Sequence, residues 1–358
     1  MQEVEFGMQL SPVERPGTSD AALYAEALAD AHIGYKLGFS TGWMIEHHFS
    51  DYFPTPNPLL FLSHVAAQCP GFGLGTAVLV LPWYNPLRLA EDIAMLQLLS
   101  KGPLHIGMGR GTAKFEYDAM GIPMEEARDR FHECWDIVRT ALEGAPFTYA
   151  GRFHKIEKPI TLRPHLDSRR PHFYGAVSSP SSAAIMASQG LAPLSLSNYS
   201  PEVLAGILAD WKRINGENGG AENAVLPLMT NVFIADTDEE ARAEAKRYLP
   251  IYYQVQVEHY NSENDIWKDM PSYQETGKMM TRLKHYTNPD NLDPQIDINP
   301  IGSPETVRRR LQALVDIGFN HFIIRNGTPG VPRAVRHRMM QRFAREVMPQ
   351  FNVKQRAA

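Results

Sequence analysis

The nine residues from Gly73 to Leu81, Gly-Leu-Gly-Thr-Ala-Val-Leu-Val-Leu, carry no charge and almost no polarity. A strand with one wet face alternates polar and apolar residues. A strand covered on both faces does not, and such strands belong to parallel sheets packed under helices. The next segment of the chain fits that reading. Asn85-Pro86 opens a helix, and Leu89, Ile93, Leu96 and Leu99 recur on one stripe until Gly102 stops it. The unit of short apolar strand and amphipathic helix then recurs along the chain, with strands predicted at Val4–Leu10, Trp43–His48, Gly73–Leu81, Leu104–Met108, Pro171–Val177, Leu194–Ser197, Val225–Ala235 and Phe322–Arg325.

An eightfold alternation closes into a parallel α/β barrel of the (β/α)8 or TIM type, whose chemistry sits at the C-terminal ends of the strands. Helix punctuation agrees: Ser19-Asp20 starts the first helix and Gly38 ends it, and Ser303-Pro304-Glu305 starts a late one. Two stretches fall outside the rhythm. Phe147–His154 reads as a surface hairpin. Residues from about Asn261 to Asn299, after the seventh strand, are polar, rich in Asp, Asn, Lys and Pro, and weakly periodic, which predicts a lid-like or irregular insertion. No linker divides the 358 residues, so one domain over 1–358 is expected.

With 44% hydrophobic and 21% charged residues the chain can bury a large core and is not a disordered one. A net charge of −5 gives no electrostatic reason to expect nucleic acid or an anionic membrane as partner. The basic stretch from Arg333 to Arg345 has the spacing of the solvated face of a terminal helix. Cys69 and Cys134 form no CxxC pair and read as reduced, buried thiols. The acidic start, Met1-Gln2-Glu3-Val4-Glu5, lacks a basic n-region, and no run of about 18 apolar residues occurs, so neither a signal peptide nor a membrane span is expected and the protein should be cytoplasmic.

Three groups at the predicted strand ends carry chemistry. His47 and His48 end the second strand, where side chains alternate, so one imidazole can face the barrel mouth while the other packs outside. A pocket imidazole gives or takes a proton near neutrality. Adjacent strand histidines point apart, and no HxH or HxxxH companion stands nearby, so they make a poor metal pair and no metal site is expected. Gly107-Met108-Gly109-Arg110-Gly111 is not a dinucleotide fingerprint, because Thr112 stands where its last glycine is needed. The glycines still admit a flat or phosphorylated ligand, and Arg110 offers a forked cation. Ser178-Ser179-Pro180-Ser181-Ser182 opens a helix, where free N–H groups, hydroxyls and the dipole favour an anion. Trp83, Tyr84, Phe115 and Tyr117 on neighbouring loops either wall an apolar cavity or pack the top of the barrel.

In chain order, Glu46-His47-His48-Phe49, Gly75 to Pro82, Pro86 with Glu91-Asp92, Ser100-Lys101-Gly102, Gly107 to Gly111, Glu133-Cys134-Trp135, the serine cluster and Ile298-Asn299-Pro300 with Gly302 resemble the bacterial luciferase-like flavin monooxygenases. The resemblance implies a barrel with a lid insertion that binds reduced FMN, delivered by a separate NAD(P)H:flavin reductase. Dioxygen then adds at the flavin C4a carbon, and the C4a-peroxyflavin attacks a small organic, apolar carbonyl-type substrate. By position His47 matches the catalytic histidine, and Ala77-Val78 a non-proline cis peptide against the flavin ring. Arg110, Ser179 and Ser182 match side chains on the FMN phosphate, and Val177-Ser178 the backbone beside it, with Met108 and Gly109 in the same cofactor wall. Gly109 stands where luciferase has a reactive cysteine, which argues against light emission, and Ser178 replaces an acidic residue. A homodimer is implied rather than luciferase's heterodimer. Two other functions stay open: hydride transfer with the deazaflavin F420, and flavin binding without catalysis.

Overall fold

The structure, a computed structural model, describes residues 2–13, 17–177, 180–220, 224–260, 270, 273–325 and 327–354, with the backbone alone described at 180 and 181. Its strands are β1 (Glu5–Gln9), β2 (Thr41–Met44), β3 (Gly73–Val80), β4 (Leu104–Gly109), β5 (Phe147–Ala150), β6 (Lys155–Ile160), β7 (His172–Val177), β8 (Ala192–Leu196), β9 (Pro227–Asn231), β10 (Phe233–Ile234), β11 (Ile301–Gly302) and β12 (His321–Arg325). Eight of them close into a barrel in the order β1-β12-β9-β8-β7-β4-β3-β2, all neighbours parallel. The expected (β/α)8 barrel is therefore the fold. The antiparallel pair β5–β6 is a hairpin that starts where expected, but its second strand, Lys155–Ile160, lies beyond the predicted end at His154.

The barrel interior is layered. Trp43, Tyr174, Leu194, Met229 and Ile323 fill the middle as one buried cluster. The indole fits because its neighbours on both flanking strands are glycines. A Cβ on Gly7 would lie 2.7 Å from Trp43 Nε1, and one on Gly75 2.3 Å from its Cδ2. Below, at the N-terminal ends, Glu5, His105 and His321 form a buried polar floor. Lys354 Nζ closes it from the C-terminal segment, 2.8 Å from Glu5 Oε1.

Three expectations need correction. The second strand stops at Met44, so His47 and His48 follow it. The Ile45 N–H donates to Ser11 Oγ (2.9 Å) and the His47 N–H to the Thr55 carbonyl (3.4 Å), which takes the backbone out of the barrel ladder. The seventh strand is split. β9 belongs to the barrel, whereas β10 pairs with β11 outside it. Asn299, fully buried, pins that departure: its Oδ1 accepts from Thr230 Oγ1 and the Asn231 N–H, each at 3.1 Å, and its Nδ2 donates to the carbonyls of Ser197 and Gln295. Finally, the stretch predicted as irregular contains helices at Gln274–His285 and Asp293–Ile298; positions 261–269 and 271–272 lie outside the described residues. Met280 and Leu283 are the buried stripe of the first of these, too sparse among charged residues to read as a period.

A further short helix, Lys114–Met120, was not predicted. Both cysteines are free and buried. No helix among the described residues is long and apolar enough to cross a membrane.

Candidate active site

A cavity of about 380 Å³ opens at the C-terminal ends of the barrel strands, within the size range of small-molecule and cofactor sites. Helices Asp238–His259 and Gln274–His285 roof it with Tyr252, Tyr253, Gln256, Met279, Met280 and Leu283. Capping fixes the first of these helices. Thr237 Oγ1 accepts from the Glu240 N–H while the Glu240 carboxylate accepts from the Thr237 N–H.

The fold brings most of the predicted site residues together here. His47, Ala77, Val78, Met108, Gly109, Arg110, Val177 and Ser182 all line this one cavity. Ser178 and Ser179 lie outside the described residues. The Ala77–Val78 peptide is cis. Gly109 is tight against it: a Cβ there would come 2.6 Å from Val78 Cγ2, so a side chain at this position requires Val78 to move. Arg110 lies over the Tyr273 ring at 4.7 Å, and burial lowers its pKa, although a guanidinium stays charged at any ordinary pH. The Tyr273 hydroxyl donates to the Gly111 carbonyl (3.1 Å) and the Tyr117 hydroxyl to that of Arg110, which holds two successive carbonyls of the arginine's loop.

His47 and His48 part company as expected, though from a loop. His48 Nε2 meets Glu46 Oε1 at 3.0 Å, and Glu46 Oε2 accepts from the Val80 N–H at 2.9 Å. His47 instead lines the cavity beside two groups that sequence reasoning missed. Its Nδ1 is 3.4 Å from Glu116 Oε1, and His259 Nε2 is 3.8 Å from the same oxygen. Glu116 Oε1 also accepts from the His48 N–H at 2.7 Å, and His259 Nδ1 lies 2.8 Å from Ser50 Oγ. Burial drives the pKa of both His47 and His259 down to about 3, with further lowering from His48 and His47 respectively. Both imidazoles are therefore neutral near pH 7. Burial likewise raises the Glu116 carboxyl. The ligating atoms of this trio lie within 4.8 Å of one another, a spacing that suits a proton relay and also a divalent cation.

Other residues on the wall were also missed. Arg128 and His132 join Arg110, and Arg325 ends β12. Two signals were available: a lone carboxylate among the aromatics of Phe115-Glu116-Tyr117, and a charge closing the apolar run Phe322-Ile323-Ile324-Arg325. The four loop aromatics are not on the wall. Trp83 packs edge-on to His48 and Tyr117, and Phe115 edge-on to His259 of the trio.

Comparison with known proteins places this architecture. Residues 4–321 match the model of the luciferase-like monooxygenases. The chain belongs to the luciferase-like monooxygenase family. Two uncharacterized Sinorhizobium fredii proteins, y4vJ and y4wF, are 39% and 35% identical over stretches that span only 39% and 55% of their own lengths and 38% and 52% of this chain. The oxygenase component of flavin-dependent trigonelline monooxygenase from Acinetobacter baylyi is 25% identical over 92% of this chain and 90% of its own. Among solved structures, the oxygenating constituent of 3,6-diketocamphane monooxygenase from Pseudomonas putida, in complex with FMN, has TM-score 0.77 at 19% identity, covering 99% of this chain and 100% of that one. An F420-dependent secondary alcohol dehydrogenase has TM-score 0.74 at 16% identity over 97% and 99%. At these identities the structures show the common fold.

Proposed function

We propose that this enzyme is a flavin-dependent monooxygenase that uses reduced FMN and dioxygen to oxygenate a small organic substrate with an apolar, carbonyl-type body. One observation carries the reading: a single cavity holds a flat apolar wall, a cationic end and a buried imidazole. Ala77, Val78, Met108, Gly109 and Val177 make the wall. Arg110 and Ser182, the latter in the first turn of helix Pro180–Ser188, make the end that would hold a phosphate. Ser178 and Ser179 are assigned to the same end by resemblance.

When bound, reduced FMN supplies the two electrons that split dioxygen, one atom going to substrate and one to water. The chain's own residues handle protons and water. His47, neutral through burial, accepts a proton at the cavity, and the Glu116 carboxylate beside Nδ1 stabilises the imidazolium so formed. The roof helices exclude water, which protects reactive oxygen species from unproductive breakdown.

FMN reduced elsewhere must reach the site, so a separate NAD(P)H:flavin reductase is the expected partner. A homodimer is supported by the exposed apolar residues Leu60, Met95, Leu98 and Leu99 on the adjacent helices Pro58–Gln68 and Pro86–Leu99. The second reading is hydride transfer with F420, favoured by the likeness to the F420-dependent dehydrogenase. Incubation with chemically reduced FMN under ¹⁸O2 and a panel of ketones and aldehydes separates the two: a product carrying one labelled atom is expected. Oxygen-independent turnover with F420, and none with FMN, would reverse the assignment.

A further inference from the structure

Arg325 is buried, lines the cavity, and has no carboxylate partner among the described residues. Its Nη1 reaches Asn231 Oδ1 only at 3.4 Å, its Nη2 touches Met229 Sδ at 2.9 Å, and its guanidinium stands 5.3 Å over the Tyr252 ring. Its Nε has no hydrogen-bond partner among the described residues. The carboxylates on the cavity wall are engaged elsewhere: Glu46 with His48 and the Val80 N–H, Glu116 with the His48 N–H, and Glu275 with Lys278. A second donor is also unsatisfied. Tyr253, on the same wall, has a buried hydroxyl without a partner among the described residues, and its ring packs 5.4 Å from that of Tyr252, over which Arg325 stands. A buried cation without a carboxylate and a buried hydroxyl without a hydrogen bond on one cavity wall are costly, and they persist where a ligand completes them.

The barrel order says which ligand. β12 and β4 are four strands apart in either direction around the ring, so Arg325 and Arg110 stand on opposite sides of the mouth. The phosphate end proposed above is at Arg110. We infer that Arg325 and Tyr253 form a second anion subsite, which takes a carboxylate on the substrate and points its apolar body across the mouth. A carboxylate fits better than a compact anion, since a guanidinium fork pairs two coplanar oxygens. This rests on the cavity being the substrate site, and it refines that substrate to an apolar body bearing one carboxylate.

The test uses benzoate and benzamide, which share shape and differ in charge, as probes on the full chain with and without oxidised FMN. Calorimetric titration should show benzoate binding at least ~10-fold tighter than benzamide, as a charge-assisted pair requires. Arg325→Met should abolish that preference, Arg325→Lys should keep part of it, and Tyr253→Phe should weaken benzoate alone. FMN affinity should be unchanged in Arg325→Met and lower in Arg110→Met. Melting gives a second readout. Ligand-free Arg325→Met should melt no lower than wild type, because it sheds an unpaired buried charge, and benzoate should raise the wild-type Tm only. Equal binding of the two probes by wild type, or a lower Tm for Arg325→Met, overturns the subsite. Loss of FMN but not riboflavin affinity in Arg325→Met overturns it too, by assigning this end to the cofactor phosphate. Failure of FMN to bind at all, with benzoate preference intact, would sink the flavin reading and leave the subsite standing.

Discussion

Two trios of the same residue types stand at opposite ends of this barrel. His47, Glu116 and His259 lie at the C-terminal mouth, and Glu5, His105 and His321 at the N-terminal floor. Every one of the six is under a tenth exposed, and burial depresses both histidines in each trio. By burial and perturbed ionisation the two are alike, yet His47 and Glu116 of the mouth trio line the cavity described above and no residue of the floor trio does. The floor trio lies beneath the Trp43 layer, where one ring nitrogen of each histidine meets a neighbouring side chain. The Trp43 indole N–H, which can only donate, binds His321 Nε2 at 3.2 Å. A neutral His321 therefore carries its proton on Nδ1, 3.5 Å from Glu5 Oε2, and has no lone pair there for a metal. His105 Nδ1 meets the Tyr174 hydroxyl at 2.8 Å. Perturbed ionisation alone does not mark an active site; it must be joined to space for a ligand at the chemically active end of the strands.

The contrast predicts separable losses. His47→Gln should cut turnover by roughly 10²–10⁴-fold, the usual weight of a positioned acid–base group, while leaving the urea midpoint near that of wild type. Steady-state assays with reduced FMN, beside equilibrium unfolding, read both. A variant equally active but less stable would make the mouth trio a second structural floor. Next in size is the divider. Trp43→Ala removes a fully buried indole between two glycines and should cost about 3–5 kcal/mol of folding stability. A loss below ~1 kcal/mol would mean that the middle layer does not hold the two ends apart.

The barrel was legible because its signal is repeated: strands buried on both faces, each followed by a helix with a single apolar stripe. The site was legible in part, and the part missed has a physical cause. His47, Arg110 and Ser182 announce themselves as polar residues closing apolar or glycine-rich runs. Glu116 and His259 do not. They meet His47 from a seven-residue helix and from the last position of a long one, across 69 and 212 residues of sequence, and only the closed barrel with its roof joins them. The roof was the least legible element. Its second helix buries few apolar positions, because one side faces a cavity rather than a core.

Acid should sharpen the comparison further. His321, held near 3 by burial and by the charges of Lys354 and His172, cannot take up a proton that the unfolded chain accepts at about 6.5. Its folded pKa is depressed, so the unfolded state binds more protons below pH ~6.5, and stability is lost as pH falls from there towards 3 at ~1.4 kcal/mol per pH unit. His105 adds in the same sense. Urea titrations across this window should give a slope shallower by about that amount in His321→Gln. An unchanged slope would show that the floor is not what makes the protein acid-sensitive.

The smallest expected effect tests how the mouth trio is held. Ser50 Oγ, 2.8 Å from His259 Nδ1, is the contact that orients this roof imidazole towards Glu116. Ser50→Ala removes one hydrogen bond and should cost about 1 kcal/mol or less in stability. If His259 positions Glu116 and so His47, kcat should still fall, by up to ~10-fold, and Ser50→Thr should restore it, while KM for the substrate stays put. A rise in KM with kcat intact would place His259 in substrate binding instead. No change in either would leave the Glu116–His47 pair working alone, with His259 as packing against Phe115 and Tyr52.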